Sequence, residues 1–190
     1  MLYPTLTEAG YKIAQWVAPK TSWFSVITSN ALVWKKSQPL QGKVIWMHCA
    51  SLGEFEMGKS AFELYLERHP DWKGVVTFFS PSGYEPKKTY SRAQVFYLPF
   101  DSPKEVKRWL TFLKPSLAVF VRYDLWPNHI RGLYNSNVPI AVIGMSASRT
   151  PWYLYRGLPM MRSLFKKAIS LWGVNLSLIH ISEPTRPQAI

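Results

Sequence analysis

From Lys43 onward, short apolar runs alternate with segments of helical character, and the way the first run ends constrains the chain most. Val44-Ile45-Trp46-Met47-His48 gives way to Cys49-Ala50-Ser51-Leu52-Gly53-Glu54-Phe55-Glu56: small residues, a glycine and two acids, followed by a helical pattern. A buried strand that breaks into a strand-to-helix turn is where open α/β sheets place their ligands. A carboxylate at such a turn lies outside the carboxyl end of the sheet and faces whatever binds there. Glu54 is therefore the first candidate for chemistry.

The alternation continues. Val44 to His48 reads as a strand and Gly58 to His69 as a helix. Gly74 to Phe79 is a second strand, followed by a Ser-Pro-Ser-Gly turn at Ser80 to Gly83 and a short helix to about Ser91. Val95 to Leu98 is a third strand. Asp101-Ser102-Pro103 then starts a helix, with proline in its first turn, that runs to Leu113. Leu117 to Val121, Pro139 to Met145 and Ser170 to Val174 complete six strands, separated by helices over Trp126 to Asn135 and Leu158 to Ala168. Short, mostly apolar strands divided by helices indicate a parallel sheet covered on both faces. With right-handed crossovers the expected fold is α/β, a Rossmann-like doubly wound domain.

The first 41 residues differ. Aromatic and aliphatic clusters around Trp16, Trp23 and Trp34 are interspersed with Lys12, Lys20, Lys35 and Lys36. Such a basic, Trp-rich segment can lie in a membrane interface, or it can pack its aromatics onto the domain behind it. The whole chain carries a formal charge of +12, which points to an anionic partner such as nucleic acid, anionic lipid or an acidic substrate. No leader of the secretory type and no apolar run long enough to span a bilayer is evident. Cys49 is the single cysteine, so no internal disulfide can form, and it reads as a small buried hydrophobe.

Several chemistries are excluded by pattern. The turn after the first strand is neither G-x-G-x-x-G nor G-x-x-x-x-G-K-[ST], which weakens dinucleotide and P-loop readings. His48, His69, His129 and His180 share no metal-ligand spacing, and no G-x-S-x-G elbow is present. What remains is a set of strand-end loops: Ser51, Gly53 and Glu54 after the first strand; Ser80 and Ser82 after the second; Arg122 and Asp124 after the fourth; Ser146 and Arg149 after the fifth. In a parallel sheet these loops share one edge and line one crevice. Its hydroxyls, helix-start amides and two arginines suit a sugar acid or phosphate. Glu54 or Asp124 is placed to act as a general base. Alternatively, Glu54 and Glu56 serve only the helix dipole, and Arg122 with Asp124 forms a structural ion pair.

Four motifs resemble one known family. They are His48 to Glu56, Thr77-Phe-Phe-Ser-Pro-Ser-Gly-Tyr-Glu85, Tyr97-Leu-Pro-Phe-Asp101 and Lys114-Pro-Ser-Leu-Ala-Val-Phe-Val-Arg-Tyr-Asp-Leu-Trp-Pro127. In this order and spacing they look like the N-terminal half of the 3-deoxy-D-manno-octulosonic acid (Kdo) transferases, over about Lys43 to Asn175. The resemblance implies a glycosyltransferase of the GT-B architecture, with two Rossmann-like halves and the active site between them. Such enzymes move Kdo from CMP-Kdo onto lipid A precursors at the cytoplasmic face of the inner membrane. They invert configuration and need no metal or other cofactor. The family's general base, the glutamate of its Ser-x-Gly-Glu motif, falls on Glu54. A second acid, usually Glu, falls on Asp124, one methylene shorter.

By this resemblance, residues 1–41 form a membrane-proximal segment and residues 42–175 the acceptor-binding domain. The expected partners are a lipid A precursor, the anionic membrane surface in a peripheral mode, and CMP-Kdo through a C-terminal half outside this chain. Ser51, Gly53, Ser80, Ser82, Arg122, Asp124, Ser146 and Arg149 are the expected substrate-binding set. Residues 176–190 fit no further α/β unit, and Leu178 to Pro187 looks like translated sequencing-adapter read-through, so a different native continuation and an inactive fragment are expected. The alternative is a non-enzymatic, basic membrane- or nucleic-acid-binding domain, although no RNP, helix-turn-helix or zinc-finger pattern is present.

Overall fold

The computed structural model describes residues 33–145 and 159–174. A 3-10 turn at Val33–Lys36 leads into strands β1 (Lys43–Cys49), β2 (Trp72–Phe78), β3 (Gln94–Tyr97), β4 (Leu117–Val121), β5 (Ile140–Met145) and β6 (Leu171–Val174). Between them lie helices α1 (Leu52–Arg68), α2 (Pro81–Lys87), α3 (Pro103–Leu113), α4 (Pro127–Asn135) and α5 (Pro159–Ala168). Every strand pairs in parallel, in the order β3-β2-β1-β4-β5-β6. This is the doubly wound, Rossmann-like order expected from the alternation. It reverses between β1 and β4, and that reversal is the switch point at which such sheets bind ligands.

The apolar strands are continuous because both sheet faces are covered. Along β1, Val44 and Trp46 enter one core while Ile45, Met47 and Cys49 enter the other. The first core packs against α3, α4 and α5 through Trp109, Phe112, Ile130, Leu133 and Phe165. The second packs against α1 and α2 through Phe55, Phe62 and Tyr84. Trp109, fully buried, meets Trp34 at 5.4 Å and Trp46 and Phe96 at 5.8 Å between ring centroids, mostly edge to face. Part of the high tryptophan content is therefore interior. The described end of the N-terminal segment is docked: Trp34 lies in this core and Lys35 Nζ pairs with Glu105 at 2.8 Å. The remainder of that segment, to residue 32, and residues 176–190 lie outside the described residues.

Two local readings differ from the structure. Helix α1 begins at Leu52, not at Gly58, because Ser51 takes the extended N-cap conformation and Glu54 reaches back from the first turn to the Ala50 N–H. Gly58 is buried mid-helix, where a Cβ would stand 2.8 Å from Val121 Cγ2, so glycine lets α1 press onto the sheet. Ser80 to Gly83 is not a free turn but the start of α2: the Ser80 hydroxyl accepts from the Ser82 N–H and proline holds the first turn.

Candidate functional site

The first two strands end side by side, and the Ser80 N–H donates to the Ala50 carbonyl at 2.9 Å, tying their exit loops together. On the other side of β1, β4 ends in Arg122-Tyr123-Asp124. Arg122 adopts φ +63°, a left-handed conformation that is costly for a side chain bearing a Cβ. Its N–H is held at 2.7 Å by the Ile143 carbonyl, which turns the chain sharply at the sheet edge. The Glu54, Arg122 and Asp124 loops thus meet at the β1/β4 switch point.

Glu54 is half-buried, and one carboxylate oxygen accepts the Ala50 N–H. Burial pushes its pKa up, and the nearby charge of Asp124 adds to the rise. The Ala50 hydrogen bond and the charges of His48 and Arg122 offset this only in part. A carboxylate raised in this way is a stronger base than one in water. Burial acts on Asp124 in the same direction, but the hydrogen bond from His48 and the charge of that ring when protonated outweigh it. Asp124 is held below the usual aspartate range. The two acids are therefore driven apart, one toward proton acceptance and one toward permanent negative charge.

The arrangement separates the candidate residues. Glu54, Arg122 and Asp124 come together, joined by His48, whose Nε2 lies 2.9 Å from Asp124 Oδ2. Arg122 and Asp124 do not form an ion pair within the described residues; the partner of Asp124 is His48. The Arg122 guanidinium lies 5.8 Å from the Tyr123 ring centroid, and its buried Nε has no hydrogen-bond partner. Ser51 caps α1 by backbone conformation without a side-chain hydrogen bond, and Gly53 has open space where a Cβ would be. Ser80 and Ser82 hydroxyls lie 3.0 Å apart, engaged with each other at the start of α2. Ser146 and Arg149 lie outside the described residues. Glu56 is exposed and pairs with Lys87 at 2.8 Å. Cys49 is fully buried, and that burial pushes its thiol pKa up, leaving it a packing residue.

Pattern reasoning missed His48, Thr77, Asp101 and His129. His48 and Thr77 sit inside strands and are fully buried. Asp101, read as the start of α3, instead caps α4: its carboxylate accepts the Asn128 N–H at 3.1 Å and the His129 N–H at 2.9 Å. Ser102 caps α3. For His48 and Thr77 the sequence signal was a polar residue in an otherwise apolar run. No group of three or more His, Cys, Asp or Glu is gathered as a metal site among the described residues.

Fold and site together define a doubly wound α/β domain with polar strand-end loops gathered at the β1/β4 switch point. The chain belongs to the family described as 3-Deoxy-D-manno-octulosonic-acid transferase (kdotransferase), whose N-terminal glycosyltransferase model matches residues 24–173. The resemblance read from the four motifs is borne out. The chain is 31% identical over 119 residues to a 3-deoxy-D-manno-octulosonic acid transferase of Haemophilus influenzae, covering 62% of this chain and 27% of that protein. It is 33% identical over 99 residues to one of Chlamydophila psittaci, covering 50% and 23%. A bifunctional glycosyltransferase/methyltransferase of Fusobacterium nucleatum is 29% identical over 128 residues, covering 65% and 20%. The chain thus spans about a quarter of the length of these relatives. Among solved structures, a UDP-GlcNAc 2-epimerase from Neisseria meningitidis bound to UDP-GlcNAc superposes with a TM-score of 0.47 at 16% identity, over 75% of this chain and 44% of that one. No helix among the described residues is long and apolar enough to cross a membrane.

Proposed function

We propose that this chain is the acceptor-binding half of a GT-B glycosyltransferase that moves Kdo from CMP-Kdo onto a lipid A precursor. One observation carries the reading: a half-buried Glu54 carboxylate, anchored by the Ala50 N–H and raised in pKa, stands at the switch point beside Arg122 and Asp124. The oxygen not held by Ala50 is the proton acceptor. Glu54 takes the proton of the acceptor hydroxyl as that oxygen attacks the anomeric carbon of Kdo. The new carbon–oxygen bond forms as the bond to the CMP phosphate breaks, and CMP leaves with the electron pair. Attack from the face opposite the leaving group inverts the centre.

The step needs no cofactor beyond the donor. Arg122, with its unpartnered Nε, suits the phosphate or carboxylate of a substrate. Ser51, Gly53, Ser80, Ser82, Ser146 and Arg149 complete the proposed substrate-contacting rim. CMP-Kdo is bound by sequence outside this chain. The positive charge of the chain and its Trp-rich start support peripheral attachment to the anionic cytoplasmic face of the inner membrane. The test is Kdo transfer from CMP-Kdo to a lipid A precursor by the full-length protein carrying Glu54→Gln. The reading expects a loss on the order of 100- to 10,000-fold. Near wild-type turnover would overturn it.

A further inference from the structure

We propose that His48 is a positioning residue, the middle of a buried hydrogen-bonded line from Trp46 through Thr77 that fixes the carboxylate of Asp124 at the mouth of the crevice. The line begins at Trp46 Nε1, which can only donate, 2.8 Å from Thr77 Oγ1. Thr77 Oγ1 lies 2.9 Å from His48 Nδ1, and His48 Nε2 lies 2.9 Å from Asp124 Oδ2. Trp46, Thr77 and the His48 ring are shielded from solvent, while Asp124 keeps a quarter of its side-chain surface open.

Direction follows from the two ends. The indole can only donate to Thr77, and the ionised Asp124 carboxylate can only accept, so His48 Nε2 carries a proton. In the neutral form of the ring Nδ1 is then the acceptor and receives the Thr77 hydroxyl proton in a hydrogen bond. Thr77 and His48 each use one donor and one acceptor in sequence, and the hydrogen bonds reinforce one another. The sheet register makes this possible: His48 pairs with Thr77 on β2 and with Phe120 on β4, so the imidazole reaches Thr77 within one neighbouring strand and Asp124 in the loop after the other. The other titratable or charged groups close enough to act on this line are Glu54 at the start of α1, Arg122 at the end of β4, His129 on α4 and Cys49 on β1 itself.

The consequence for catalysis rests on the proposed role of Glu54. A fixed, ionised Asp124 acts on Glu54 as a standing negative charge, so loosening it weakens the base without touching the acceptor. The proposal itself concerns the line and is read independently of turnover. In the chain labelled at histidine nitrogens and aspartate carboxyls, NMR should show His48 in the Nε2–H tautomer. Thr77→Val removes the hydroxyl while nearly keeping the shape. It should mix the tautomers and move the Asp124 titration upward, toward ordinary aspartate. His48→Leu should likewise move the Asp124 titration upward, while His48→Gln, which keeps an N–H near Asp124, should restore part of the depression. In the full-length protein, Thr77→Val should lower kcat on the order of 10- to 100-fold with KM nearly unchanged.

An Nδ1–H tautomer in the unsubstituted chain would overturn the proposal, and that measurement requires no variant to fold. So would an unmoved Asp124 titration in Thr77→Val and His48→Leu with the β1 and β2 amide spectrum retained. If Glu54→Gln leaves transfer intact while Thr77→Val still shifts Asp124, the base assignment fails and the line stands.

Discussion

Asp101 Oδ1 receives two hydrogen bonds from one residue: the backbone N–H of His129 at 2.9 Å and its ring Nδ1 at 2.8 Å. The other oxygen takes the Asn128 N–H, so a single buried carboxylate closes the first turn of α4 from the loop after β3. It joins parts of the chain that lie 27 and 28 residues apart. Asp101→Ala leaves several donors without a partner at a buried helix start, and is expected to cost about 3 kcal/mol. A urea denaturation midpoint that stays put would refute the assignment.

Glu54→Gln is expected to stabilise the fold at neutral pH while removing activity. Because the folded-state pKa of Glu54 is raised, ionisation is harder in the folded than in the unfolded chain. Its contribution therefore becomes unfavourable as pH rises from the ordinary glutamate value through the folded one. Glutamine retains an oxygen for the Ala50 N–H and never ionises. Thermal midpoints of the two proteins should converge below the ordinary glutamate pKa and separate in favour of the variant above the folded one. The opposite order at neutral pH would count against a desolvated carboxylate.

Asp124→Asn should behave in the reverse sense. The depressed pKa of Asp124 contributes stability that is present above the ordinary aspartate value and lost as pH falls through the folded one. The variant should be less stable than the parent at pH 7 and indistinguishable from it in strong acid, where both side chains are neutral. Denaturant melts at the two pH values make the comparison, and a constant gap would point to packing instead of charge.

Gly83→Ala addresses the seating of α2. A Cβ there would lie 2.2 Å from Phe78 Cδ1 in the core beneath the helix, and the ring is itself fully buried. The ring or the helix must move, at about 1–3 kcal/mol. Circular dichroism melts should show the loss, and NMR should place the displacement at the Ser80 and Ser82 amides. A melt unchanged from the parent would mean that the contact is loose.

How much was legible in the sequence depended on how local each signal was. Strands β1, β2 and β4 were readable because burial on both faces leaves an unbroken apolar run. The start of α1 was not, since the small residues and Gly53 after β1 look like a turn, and the need for Gly58 inside the helix arises only from Val121 and Met47 across the interface. Ser80 to Gly83 looked like a turn because cap and turn use the same residues. Of the site, Glu54, Arg122 and Asp124 were visible as strand-end polar residues. His48 and Thr77 were not: their meaning depends on a register that no single strand carries. The same holds for Asp101, whose helix lies beyond the next strand.

Strand order has a consequence for how this chain is made. During synthesis β1 gains β2 and β3 on one side, while its other edge waits for Leu117–Val121. Until β4 has emerged, a long, apolar edge is open to other nascent chains, and the partner acid of His48 has not yet left the ribosome. Ribosome-bound chains stalled before residue 117 therefore hold the strand that carries the candidate base's turn, yet have no switch point.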